Sequence, residues 1–82
     1  MGAIGIGADI ENIARFAKLD RQKDSRFLNK IFTAREQAYC FRFKSPAEHL
    51  AARYAGKEAV LKAMASIGRT KLAYRDIEIV ND

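Results

Sequence analysis

The sequence predicts an α+β domain with several helices and an incomplete sheet. Three observations carry that class. Residues 3–10, "AIGIGADI", alternate small and branched side chains in the manner of a buried strand. Residues 74–81, "YRDIEIVN", alternate Ile77 and Ile79 with charged neighbours and read as a second strand. Between them lies a capped helical stretch from about 46 to 66. The chain has 82 residues, one proline and 49% apolar residues, which fits one small folded domain over 1–82. Two strands alone make a marginal sheet, so the sheet reads as unfinished.

The first strand carries Gly5 and Gly7, followed by Asp9 and Ile10. No third glycine stands at the step a dinucleotide-binding turn needs, so the glycines are read as allowing close backbone packing. Asp9 is expected near the strand's end, beside whatever element crosses it. "ENIARFAKL" (11–19) follows as a helix, with Ile13, Phe16 and Ala17 inward and Arg15 and Lys18 outward. "SRFLNKIF" (25–32) reads as a short helix or turn that carries Phe27, Leu28, Ile31 and Phe32 into the core. Thr33-Ala34-Arg35-Glu36 is a capping box and opens a helix through about Phe41 or Phe43. The "KSP" stretch breaks that helix. Ser45-Pro46-Ala47-Glu48 then starts the long helix with a cap, a proline at the first helical position and an acid three residues on. Gly68 closes it.

Charge narrows the partner class. The net charge is +5, and Ile13–Lys44 holds nine basic residues against three acids. Arg15, Lys18, Arg21 and Arg26 belong to this basic face, which calls for an anionic partner. Nucleic acid is the default for such a surface, yet no recognition motif or interleaved aromatic series accompanies it. An acidic protein fits equally well. No apolar run approaches the length of a membrane span, and no signal-peptide pattern opens the chain, so a cytoplasmic address is expected. Cys40 is the single cysteine and is read as a reduced helix residue. His49 is read as a surface histidine, and no Cys/His cluster suits zinc.

The long helix places Glu58 among small and apolar residues. Ala51, Tyr54, Ala55, Leu61, Lys62 and Ala65 share its face. The bland reading is a surface Glu58–Lys62 pair worth a few tenths of a kcal/mol. The small neighbours instead suggest a closely packed face, where a carboxylate needs a partner. A metal ion is one such partner.

"GIGADIENIARF" (5–16), "FLNKIFTAREQAYC" (27–40) and "AARYAGKEAVLKA" (51–63) together resemble the small trimeric class of 4′-phosphopantetheinyl transferases, the holo-acyl-carrier-protein synthases. The three blocks keep that family's order and spacing over nearly the whole chain. The resemblance implies transfer of the phosphopantetheine arm of coenzyme A to a serine of apo acyl carrier protein, a step of fatty acid biosynthesis. It implies Mg²⁺ held by Asp9 and Glu58, catalytic roles for Glu58 and Lys62, and coenzyme A contacts from Arg53, Lys57 and Lys62. It also implies docking of the acidic carrier protein on Arg15, extended by charge to Lys18, Arg21 and Arg26. Ala8 stands where the family commonly has threonine. Family members continue past the second strand with a further helix and strands. The alternative is therefore a truncated, inactive module that binds acyl carrier protein. A homo-oligomer is expected, a trimer in the family, with no nucleic acid or membrane partner.

Overall fold

A computed structural model of the chain describes the backbone of residues 2–80 and the side chains of residues 10–80. Four α-helices follow in order: α1 (Gly2–Ala17), α2 (Ser25–Ile31), α3 (Ala34–Cys40) and α4 (Pro46–Ser66), then a 3-10 turn at Tyr74–Asp76. The long helix α4 runs against α1 and also meets α3 and the 3-10 turn. The core gathers Phe16 of α1, Leu28 and Ile31 of α2, Phe32, Cys40 of α3 and Leu50 of α4. Phe16 stands edge-on to Phe32, with ring centroids 5.7 Å apart. Among the described residues no helix is long and apolar enough to cross a membrane.

The expected α+β class is corrected: among the described residues there is no β-strand. Residues 3–10, expected as the first strand, lie within α1. A strand needs a neighbour for its backbone N–H and C=O groups, whereas a helix satisfies them internally. No proline or turn residue separates Gly7 from the helical run that follows, so the helix extends back through the glycines. The alternation of small and branched residues was too short to distinguish the two.

The second expected strand is also absent. Tyr74–Asp76 closes a 3-10 turn, in which the Asp76 carboxylate accepts from Ala73 N–H at 2.8 Å. Beyond it Ile77 is extended, and the backbone of Ile79 pairs with side chains. Ile79 N–H donates to Glu36 Oε2 at 2.8 Å, and Arg53 Nε donates to Ile79 C=O at 3.2 Å. Ile79 lies over Gly56, where an added Cβ would come within 2.8 Å of its Cδ1. Thus the alternating pattern reports a half-buried strap crossing α3 and α4 rather than a ladder.

The helix boundaries follow local chemistry. The capping box forms: Glu36 N–H donates to Thr33 Oγ1 at 3.2 Å, and Thr33 N–H donates to Glu36 Oε1 at 2.9 Å. Pro46 opens α4, but Ser45 makes no side-chain cap bond. Gly68 takes φ +88°, the left-handed conformation that ends a helix, and Arg69 N–H returns to Met64 C=O at 2.9 Å. Phe27, expected in the core, is 37% exposed because α2 turns only Leu28 and Ile31 inward. Ala17 likewise faces solvent. His49 is half-buried and stacks on Phe43 with ring centroids 3.8 Å apart.

One interaction joins α2, α3, α4 and the 3-10 turn. The Lys57 ammonium on α4 is fully buried and ion-paired to Glu36 Oε1 at 2.6 Å. Its other donors reach Ile31 C=O at 2.7 Å and Tyr74 C=O at 3.0 Å. An ammonium has three donors, and all three are used. Ile31 C=O belongs to the last turn of α2, where a cation meets the helix's unsatisfied carbonyls. Lys57→Met should lower unfolding stability by about 3–5 kcal/mol, because it leaves the Glu36 carboxylate buried without its charge partner. Urea unfolding followed by circular dichroism measures this; a midpoint equal to the parent chain's would contradict the assignment.

Candidate functional site on the open face of helix α4

Helix α4 presents two chemically different faces. Arg53 and Lys57, one turn apart, point into the domain, with 5% and 0% of their surfaces exposed. Arg53 packs its guanidinium 4.3 Å from the Tyr39 ring centroid, in addition to its bond to Ile79. Tyr54 and Glu58 are half-buried and Lys62 is exposed. The helical repeat sets this division, since 54, 58 and 62 follow one line along the helix and 53 and 57 another.

Around Tyr54 the open face is built from rings. Tyr54 stacks on Tyr74 with centroids 5.1 Å apart and an 18° angle between planes. Phe16 meets Tyr54 edge-on at 5.6 Å, and the Arg15 guanidinium lies 5.7 Å from its centroid. The two phenol oxygens are 3.4 Å apart. Hydrogen bonding to Tyr54, then burial, and then the nearby charge of Glu58 push the Tyr74 phenol up to about 12.

Glu58 sits one turn from Tyr54. Its carboxylate makes no hydrogen bond or ion pair among the described residues, whose ion pairs are Arg35–Glu78 and Lys57–Glu36. The surface Glu58–Lys62 pair therefore does not form in this structure. A half-buried carboxylate with no partner among the described residues is open to an external cation or donor. Among the described residues no group of three or more His, Cys, Asp or Glu side chains gathers. Mg²⁺ does not require one, since it takes one or two carboxylates and completes its shell with water and phosphate oxygens. Glu58 fits that donor chemistry. Asp9, the second expected metal ligand, lies on α1 rather than at a strand end, and its side chain is outside the described residues.

The remaining expected site residues fall in two places. Lys62 is exposed on the Glu58 side of α4. Arg53 and Lys57, expected at coenzyme A, are placed inside the domain with the contacts given above. Arg15, Lys18, Arg21 and Arg26 are all exposed, from the end of α1 through the following turn to the start of α2. The turn itself is ordered by carboxylates: Asp20 accepts from the Gln22 and Lys23 amides at 2.9 and 2.8 Å, and Asp24 from the Asp20 amide at 2.7 Å. Arg21 lies 4.8 Å from the Phe41 ring centroid. Cys40 is fully buried, and desolvation pushes its thiol above its ordinary value, partly offset by Arg53. That suits a packing residue rather than a nucleophile.

Sequence reasoning missed the Tyr54–Tyr74 pair and the burial of Lys57. Tyr54 was visible on the face of Glu58, but its partner lies 20 residues away in a segment read as a strand. Glu36 was visible only as the acid of a capping box.

A sequence profile of the 4′-phosphopantetheinyl transferase superfamily matches residues 5–82. Curated relatives carry the name holo-[acyl-carrier-protein] synthase. The protein of Protochlamydia amoebophila (strain UWE25) is 46% identical over 79 residues, covering 96% of this chain and 65% of the relative. That of Chlamydia felis (strain Fe/C-56) is 50% identical over 76 residues, covering 92% and 62%. That of Geobacter sp. (strain M21) is 42% identical over 78 residues, covering 95% and 62%. The chain thus spans less than two thirds of the length of these relatives. No solved structure matches it.

The raised Tyr74 phenol has a consequence for stability. The folded chain holds this proton up to about 12, while the unfolded chain releases it near 10.0. The neutral phenol therefore favours folding fully below the lower value, and the contribution is lost as pH rises through the higher one. Thermal melts across that alkaline window should fall more steeply for the parent chain than for Tyr74→Phe. Parallel curves would show that the phenol proton is not held.

Proposed function

The chain belongs to the 4′-phosphopantetheinyl transferase superfamily, and from that premise we propose that it serves transfer of the 4′-phosphopantetheine group of coenzyme A to a serine of apo acyl carrier protein. The observation that carries this reading is the shared name of the curated relatives, whose similarity covers 92–96% of the chain in the three cases described. The Glu58 carboxylate, one turn from exposed Lys62 and without a hydrogen-bond or ion-pair partner among the described residues, supports it from the side of chemistry.

In the reaction the serine oxygen forms a bond to the phosphorus bearing the pantetheine arm. The bond from that phosphorus to the bridging oxygen of the pyrophosphate breaks, releasing adenosine 3′,5′-bisphosphate, and the serine proton passes to solvent or a base. Asp9 and Glu58 would hold Mg²⁺, which when bound neutralises pyrophosphate charge. Lys62 supplies a mobile cation to the same phosphates, stabilising charge that develops on the leaving group. Lys57 acts behind them: its buried contacts fix the rotation of α4 and so the direction in which Glu58 and Lys62 face. Arg15, Lys18, Arg21 and Arg26 form a basic approach for the acidic carrier protein, in a cytoplasmic, homo-oligomeric enzyme. Electrostatic complementarity of this kind acts chiefly on association rate.

A second reading is supported by the inward placement of Arg53 and Lys57. In it the basic face binds carrier protein and the chemistry is lacking. Coenzyme A binding separates the two. Glu58→Ala should abolish Mg²⁺-dependent coenzyme A binding in calorimetry while the far-ultraviolet helix signal stays unchanged. Absence of Mg²⁺-dependent binding by the parent chain favours the second reading. For the basic face, Arg15→Glu should slow association with an acidic carrier protein roughly tenfold at low ionic strength, with the difference shrinking as salt is added. Stopped-flow traces with unchanged rate constants would remove Arg15 from the docking surface.

A further inference from the structure

The Tyr54–Tyr74 pair exceeds what packing requires. A stacked pair needs two rings, and two phenylalanines would supply them. Here the two hydroxyls meet at 3.4 Å on a face that also carries Glu58 and Arg15. Two phenols bring two O–H groups, and the contact between them uses one. The other has no acceptor among the described residues, and both residues are half-buried, so an outside acceptor can reach it.

The pair is also held in place. Tyr74 is anchored through its carbonyl by the buried Lys57 ammonium at 3.0 Å. Tyr54 is fixed on α4 and packed edge-on by Phe16 at 5.6 Å. Neither ring must be ordered when a ligand arrives, so a donated hydrogen bond contributes with little ordering loss. Among the described residues the neighbouring formal charges are the Arg15 cation beside Tyr54 and the Glu58 anion one turn along α4. Neutral donors beside a cation suit an anionic oxygen, and the carboxylate requires that its charge be offset by a metal.

We propose that the Tyr54–Tyr74 phenol pair is a hydrogen-bond donor site for a pyrophosphate oxygen of the substrate held at Glu58. This rests on the phosphopantetheinyl transfer reading and deepens it. The two tyrosines are binding residues: they orient the pyrophosphate and take no proton from it.

Phenylalanine at either position keeps the ring and removes only the hydroxyl. The test is calorimetric titration of coenzyme A, with MgCl₂ present, into the parent chain, Tyr54→Phe, Tyr74→Phe and the double variant. Inorganic pyrophosphate serves as a second probe that lacks the pantetheine and adenosine groups. Loss of a hydrogen bond to a charged oxygen should weaken coenzyme A binding by about tenfold or more in at least one single variant and in the double variant. Pyrophosphate binding should weaken alongside it. The near-ultraviolet tyrosine difference spectrum that coenzyme A induces in the parent chain should disappear in the double variant. Melting temperatures near neutral pH should stay close to the parent value, because the stack is kept. Parent-like affinity in both single variants and the double variant would overturn this inference while leaving the transfer reading intact. Failure of the parent chain to bind either probe with MgCl₂ would overturn both. Weakened binding only where the melting temperature also falls would assign the hydroxyls to packing and overturn the donor role.

Discussion

The buried ion pair between Lys57 and Glu36 organises this domain. Neither charge reaches solvent, and an unpaired charge in that position would be strongly disfavoured. The pair is tolerated because every donor and acceptor around it is matched. Glu36 Oε1 receives both Lys57 and the Thr33 amide, while Oε2 receives the Ile79 amide. Lys57 in turn collects the end of α2 and the carbonyl of Tyr74. A carboxylate that begins as a local helix cap thereby becomes, through Lys57, the meeting point of α2, α3, α4 and the terminal strap. For a chain of this size, whose apolar core is small, such polar cross-linking supplies order that packing alone gives sparingly.

The same arrangement explains why the open face of α4 has the composition it has. With Arg53 and Lys57 drawn inward, the helix's available chemistry is the line of Tyr54, Glu58 and Lys62. The inward line is spent on structure, and the outward line holds a carboxylate without a partner among the described residues, an exposed ammonium and the Tyr54 phenol, which meets that of Tyr74. Arg15 touches both themes, since it borders the tyrosine pair and also begins the basic approach that continues through Arg21 to Arg26. The basic surface and the tyrosine–glutamate face thus share an edge at Arg15.

Much of the helical framework was legible in the residues. Thr33 and Glu36 announced their helix because a capping box is a purely local signal, and the long helix from Pro46 to Ser66 was equally plain. The resemblance carried by the blocks at 5–16, 27–40 and 51–63 agrees with the family to which the chain belongs. The strands were not recovered. At 3–10 the period of the pattern was ambiguous over so few residues, and at 77–80 alternation reported burial without saying what satisfied the backbone. The role of Lys57 was hidden for a different reason: a lysine's burial depends on partners that arrive from distant parts of the chain. Glu58 was singled out from its neighbours as a candidate, whereas the stacked Tyr54–Tyr74 pair required knowing that the strap returns to α4.

Those distant partners also bear on how the domain forms. Lys57 contacts groups 17, 21 and 26 residues away in the chain. Each contact requires loop closure, and none is fully matched until the others are present. A half-assembled hub would hold a desolvated charge with open donors, so partial structures gain little from it. The pair is therefore expected to form on the late side of the folding barrier, adding little to the rate of folding. Its influence falls instead on the rate of unfolding, which makes Lys57 and Glu36 a kinetic lock on the native arrangement.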